Sequence, residues 1–122
     1  MKYLTADDVV AVHESVINAH ELQGEAAGKS VEGVVARIET RLNYGLVENV
    51  FQLAACYGAF IAVAHAFNDA NKRTAFACMD VILALNGIEL DFPDHEAAGD
   101  MIRKVVLGQI DENDLADWLR GL

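Results

Sequence analysis

One short segment concentrates residues able to do chemistry: His65-Ala66-Phe67-Asn68-Asp69-Ala70-Asn71-Lys72-Arg73-Thr74-Ala75. Local punctuation puts the end of one helix before it and the start of another after a break at Asn68-Asp69-Ala70. A helix start exposes backbone N–H groups that have no partner inside the helix. The helix dipole adds positive potential there, and Lys72 and Arg73 add two full charges. These features together make an anion site suited to phosphate. Asp69 stands at its mouth, and Mg²⁺ usually takes one or two carboxylates plus phosphate oxygens. His65 is close by in sequence, and histidine is suited to accept a hydroxyl proton near neutral pH. Base, metal ligand and phosphate cradle thus fall within nine residues. A plain structural account also fits, with Asp69 as a helix cap, Asn71 as a first-turn polar residue and Lys72-Arg73 as a solvated pair. Two cations in a first turn oppose the helix dipole, which favours an anion there without excluding that account.

The rest of the chain must hold this segment in place. It has 122 residues, enough for one domain (1–122) and not for two. Apolar residues make up 53% and charged residues 23%, so a disordered chain is excluded. The formal charge is −10, from 9 basic and 19 acidic side chains. Such a surface repels phosphate backbones and anionic membranes, so neither nucleic acid nor membrane is expected as a partner. Residues 42–102 contain two basic side chains only, the adjacent Lys72 and Arg73. Cys56 and Cys78 form no CxxC and read as reduced core residues of a cytoplasmic protein. The N-terminus lacks the apolar stretch of a signal peptide. Leu53 to Ala64 is strictly apolar, but its 12 residues suit a buried helix better than a membrane span.

Helical punctuation recurs throughout, and the fold is expected to be all-α, with about six helices around a central apolar one. Thr5 is a cap with Asp8 at N3, and Leu4 and Val9 can form a hydrophobic staple. Val9, Val12, Val16 and Ala19 keep helical spacing, and residues 24–28 read as a loop. Ser30 can cap a second helix carrying Val34, Val35, Ile38 and Leu42, which Asn43-Tyr44-Gly45 breaks. A third helix is expected over Val47 to Phe67 and a fourth over Asn71 to Asn86, ended by Gly87. Ile88 to Phe92 reads as extended or as one short strand, stopped by Pro93. Asp94 can cap a fifth helix ending near Gly108. Asp111 can cap a sixth, with Asp114 at N3, Ile110 and Leu115 as a staple, and Leu115, Trp118 and Leu119 facing inward.

Other motifs fail on spacing. Gly24-Glu25-Ala26-Ala27-Gly28-Lys29-Ser30 is one residue short of a Walker loop, and no strand precedes it. His13-Glu14, His20-Glu21 and His95-Glu96 lack the second histidine of a zinc-peptidase helix, so His13 and His20 read as partly exposed helix histidines. No Gly-x-Ser-x-Gly elbow occurs. The acidic run from Glu89 to Asp117 reads as solvated surface.

The 65–75 segment resembles the active-site signature of the Fic/Doc family, His-x-Phe-x-Asp-[Gly/Ala]-Asn-Lys-Arg. It is most similar to the Doc branch, the toxins of plasmid-addiction toxin–antitoxin pairs, and the helical outline resembles that family over nearly the whole chain. The resemblance implies His65 as general base, Phe67 as the support beneath the loop and Asp69 as the Mg²⁺ ligand. It implies Asn71, Lys72 and Arg73 as holders of the nucleotide phosphates of ATP, with Ala70 at the motif's Gly/Ala position in the same cradle. Residues 42–50 fall where the family has a flap that docks the target, with Leu42 to Leu46 as candidates.

The broader pattern reads His-x-Phe-x-[Asp/Glu]-Gly-Asn-Gly-Arg-x-x-Arg and belongs to enzymes that transfer AMP. Here Lys72 replaces the second glycine and Phe76 the final arginine. In the Doc branch these changes accompany an inverted nucleotide and transfer of the γ-phosphate to a threonine of elongation factor Tu. The resemblance therefore implies a kinase-like toxin that arrests translation, with ATP and Mg²⁺ as cofactors and a partly disordered, Phd-like antitoxin as partner. The alternatives are an AMP-transferase of the ordinary Fic type and a non-catalytic antitoxin-binding member.

Overall fold

The structure, a computed structural model, describes residues 1–90 and 95–122, with His95 described by its backbone. Six helices follow in order among the described residues: α1 Ala6–Val16, α2 Val31–Asn43, α3 Val50–Ala64, α4 Asn71–Leu85, α5 His95–Val106 and α6 Glu112–Arg120. No strand forms among the described residues, and one isolated antiparallel bridge joins Glu25 to Phe67. The all-α expectation holds. Ile88 to Leu90 is not a strand. Asp91, Phe92, Pro93 and the Asp94 cap lie outside the described residues.

Most helices start where the sequence marks them. Thr5 and Asp8 form a reciprocal capping box on α1, and Asp111 and Asp114 form another on α6. The Ser30 side chain accepts from Gly33 N–H at 3.0 Å and opens α2. Leu4 and Val9 are both buried, as a staple requires.

Helix α3 is the centre, with an unbroken buried run from Leu53 to Ala62. Its packing partners include α2, α4, α5 and α6. A side chain at Gly58 would run into Met79 of α4, so glycine sets how closely these two helices approach. The Tyr57 hydroxyl accepts from the Leu4 N–H at 3.1 Å and donates to the Leu4 carbonyl, tying the N-terminus to α3. Burial pushes the Cys56 thiol up to about 11 and the Cys78 thiol up to about 12, so both stay protonated and unreactive. No described helix is long and apolar enough to cross a membrane.

Three boundaries differ from expectation. Helix α3 begins at Val50 rather than Val47, because the Asn49 side chain accepts from Gln52 N–H at 3.0 Å and caps it. It ends at Ala64 rather than Phe67, because the backbone groups of 66–68 are bonded elsewhere. The Ala66 carbonyl accepts from Ala26 N–H at 2.8 Å, and Asn68 N–H donates to the Gly24 carbonyl at 3.0 Å. Helix α1 stops at Val16, and Ala19 lies beyond it.

Candidate functional site

The break between α3 and α4 spans residues 65–70. His65 (φ 49°) and Ala70 (φ 63°) bracket it in left-handed conformation, and they are the non-glycine residues with positive φ among those described. Such backbone costs energy and persists where surrounding contacts enforce it.

Those contacts come from three directions. The Asn71 side chain closes on Phe67 from inside the segment: its Oδ1 accepts from Phe67 N–H at 3.0 Å and its Nδ2 donates to the Phe67 carbonyl at 2.9 Å. From the 24–28 loop and the adjoining Gln23 come the Glu25–Phe67 bridge and carbonyls that receive Asn68 Nδ2, at 2.9 Å for Gln23 and 3.1 Å for Glu25. From α1 comes His13. Its ring stacks on Phe67 with centroids 3.7 Å apart and planes 4° from parallel. Its Nε2 lies 2.9 Å from the Asp69 carbonyl.

His13 therefore corrects the expectation of a partly exposed helix histidine: it is 2% exposed and lies behind the site. The missed signal was spacing, since His13 follows the buried Val9 by four residues on the same face of α1. His20 lies beyond α1 and is exposed.

Helix α4 starts without a side-chain cap, its N-cap Ala70 being left-handed. Its first backbone N–H groups therefore face the cleft free of capping oxygens. The Asp69 carboxylate is partly buried, and its Oδ1 accepts from Ala70 N–H at 3.0 Å. His65 is exposed at the lip, and Lys72 is exposed without an ion-pair partner among the described residues.

Arg73 stands differently. Its two terminal nitrogens meet the two Glu21 oxygens at 2.8 Å each, and Nη1 also donates to the Val16 carbonyl at 2.9 Å. The Arg73 guanidinium, helped by the Asn18 N–H, lowers the Glu21 carboxyl to about 2. Sequence reasoning found the cations and missed this carboxylate, which is far from them along the chain. The Asn71 side chain is likewise committed to Phe67, so its backbone N–H is what remains for an anion.

His65, Asp69, Lys72 and Arg73 line a cleft of about 550 Å³ together with Phe76 of α4 and Gly99 and Ile102 of α5. Leu42 and Asn43 close α2 and residues 44–46 follow it; none of the five lines the cleft, and Tyr44 and Leu46 are exposed. Among the described residues no cluster of three or more His, Cys, Asp or Glu side chains is present to hold a metal. Asp69 alone could hold Mg²⁺ only together with oxygens of a bound phosphate.

The signature segment therefore lies in a strained break between the central apolar helix and an uncapped helix start. The chain belongs to the Fic/Doc family, whose model matches residues 3–83. It is similar to Protein kinase doc of Escherichia phage P1, with 31% identity over 123 residues covering 100% of this chain and 96% of that protein.

Proposed function

We propose that this chain is the toxin of a toxin–antitoxin pair and a phosphotransferase of the Doc type. It moves the γ-phosphoryl group of ATP to a hydroxyl of a translation factor, with a threonine of elongation factor Tu as the expected target. The observation that carries this reading is the uncapped, cationic start of α4 placed beside His65 and Asp69 in one cleft. The full-length similarity to a protein named a kinase supports the choice of phosphoryl transfer.

In this reading the α4 backbone N–H groups, Lys72 and Arg73 hold the phosphates, and Ala70 keeps that surface free of a capping side chain. Phe67, fixed by His13 and Asn71, keeps the loop in register. Asp69 holds Mg²⁺, which when bound neutralises charge on the phosphates. His65 takes the proton of the target hydroxyl as its oxygen bonds to the γ-phosphorus and the bond to the bridging oxygen breaks, releasing ADP. Such transfer depends mainly on positioning and charge stabilisation, which a small site can supply. A partly disordered antitoxin that folds onto the toxin is the expected partner.

The test is a bacterial lysate incubated with the protein and ATP labelled at the α or the γ position. Label is expected on a protein band from γ-labelled ATP only. Transfer from the α position alone would replace this reading with AMP transfer, and no transfer from either would leave a non-catalytic antitoxin-binding protein. His65→Ala should reduce transfer by about 10²–10⁴-fold and abolish toxicity on expression.

A further inference from the structure

A second groove, of about 300 Å³, lies outside the cleft, between Arg37 and Arg41 of α2, Phe60 and Val63 of α3, Val105 of α5 and Ile110. It adjoins the cleft. On α3 Val63 lines the groove, and His65, two residues on, lines the cleft. On α5 Val105 lines the groove, and Ile102, one turn back on the same face, lines the cleft. The two hollows therefore share the end of α3 and one face of α5 as their rim.

The groove has one open charge. Arg37 and Arg41, one turn apart, hold their guanidinium carbons over the Phe60 ring, 5.0 and 4.7 Å from its centroid. A guanidinium stacked on a ring keeps its N–H edge available to a carboxylate. At Arg41 that arrangement is filled, by the Glu112 carboxylate. At Arg37 it is open: no carboxylate of the described residues pairs with it. The helix positions from which one could reach it hold Gly33, Val34, Thr40 and Arg41. Asp111, the other acidic residue of the groove, is committed to the N–H groups of Asn113 and Asp114. A chain with 19 acidic and 9 basic side chains thus keeps this cation without a carboxylate. Beside it Val63 is 50% exposed and gives the groove an apolar shoulder.

We propose that this groove docks an acidic stretch of the protein substrate, with a carboxylate on Arg37 and an apolar neighbour over Val63. This rests on the phosphotransferase reading above and extends it to how the acceptor protein is held. Residues flanking a hydroxyl held at His65 must cross the end of α3, and the groove begins there. Charge complementarity at such a rim sets the approach and register of a partner.

The test follows transfer from γ-labelled ATP at increasing concentrations of the acceptor protein, purified from the band labelled in lysate. Arg37→Glu should raise KM for the acceptor about tenfold and leave kcat and ATP–Mg²⁺ affinity within about twofold. Arg37→Gln should raise KM about threefold, and Arg37→Lys, which keeps the charge, should stay near the wild type. Added salt should raise the wild-type KM steeply and that of Arg37→Glu little. Val63→Asp should act in the same direction as Arg37→Glu. Arg37 and Val63 are both exposed, so these variants should fold and melt as the wild type does. An unchanged KM in Arg37→Glu overturns the proposal, and light scattering of both proteins then shows whether a second copy holds the groove instead. An equal loss of kcat or of ATP affinity also overturns it, because the groove would then be acting through the cleft. No transfer by the wild type removes the phosphotransferase reading itself and the docking surface with it.

Discussion

Two kinds of helix start occur in this chain. Helices α1 and α6 begin on extended N-cap residues, Thr5 and Asp111, whose side chains take up the orphan N–H groups, and their first turns are acidic. Helix α4 begins on a left-handed alanine with no side-chain cap, and its first turn carries Lys72 and Arg73. Capping, dipole and backbone conformation all favour the first arrangement. The second leaves each of them unfavourable and keeps N–H groups open to the cleft. The starts of α1 and α6 serve stability, and the start of α4 is held ready for an anion.

The open start needs support from elsewhere, and His13 is the clearest piece of it. His13→Ala removes a buried ring stacked on Phe67 and leaves the Asp69 carbonyl without this partner. A loss of about 2–4 kcal/mol in urea unfolding is expected. Below its melting temperature the folded variant should also lose transfer activity, by up to about 10²-fold, because the loop is no longer fixed in register. Full activity in the destabilised protein would show that α4 keeps its start unaided.

The capped starts should behave oppositely. Thr5→Ala should cost about 1 kcal/mol of stability and leave transfer unchanged when assayed well below the melting temperature. The Asp111 carboxyl is held below its ordinary range by the N–H groups of Asp114 and Asn113. Its folded-state pKa being the lower one, its contribution is complete above the ordinary carboxylate range and is lost as pH falls through the depressed value. Acid unfolding of Asp111→Asn should therefore be less steep than that of the wild type. A matching loss of transfer in either variant would erase the functional distinction between the two kinds of start.

Much of this contrast was legible in the sequence. Thr5-x-x-Asp8, Ser30 and Asp111-x-x-Asp114 mark local hydrogen bonds within four residues, which is why those helix starts are legible in the sequence. The chemistry-bearing segment was legible for the same reason, being contiguous. What was not legible is what reaches the segment from afar. His13, Glu21 and the 24–28 loop lie forty or more residues upstream of their partners, and no local pattern joins them. The end of α3 was overextended because apolar periodicity runs on through Phe67, while the 24–28 loop and Asn71 claim its backbone groups.

Arg73 sharpens the comparison on the charged side. The Glu21 carboxylate occupies both terminal nitrogens that a phosphate would use. With its carboxyl lowered to about 2, Glu21 stays ionised across ordinary assay conditions, and its contribution to stability is lost only as pH falls below about 4.5 toward that value. Glu21→Gln should release Arg73 and tighten ATP–Mg²⁺ binding a few-fold at low salt, with the gain shrinking as ionic strength rises. Weaker binding would mean that Glu21 orients Arg73 toward the ligand rather than competing for it.

The smallest effect tests the strain itself. Ala70 carries a φ of 63°, which an L-residue adopts at a cost of about 1–2 kcal/mol. Ala70→Gly removes that cost but gives the unfolded chain extra freedom, worth about 0.4–1 kcal/mol in the other direction. A net gain of about 0.5 kcal/mol in stability is expected, read from the urea midpoint at constant slope. The same change at an unstrained helix position such as Ala62, buried in α3, should instead destabilise, by about 1 kcal/mol or more. If Ala70→Gly destabilises as Ala62→Gly does, no strain is stored at the start of α4. If it stabilises, the chain tolerates at its anion-binding helix start a backbone cost that the capped starts of α1 and α6 never incur.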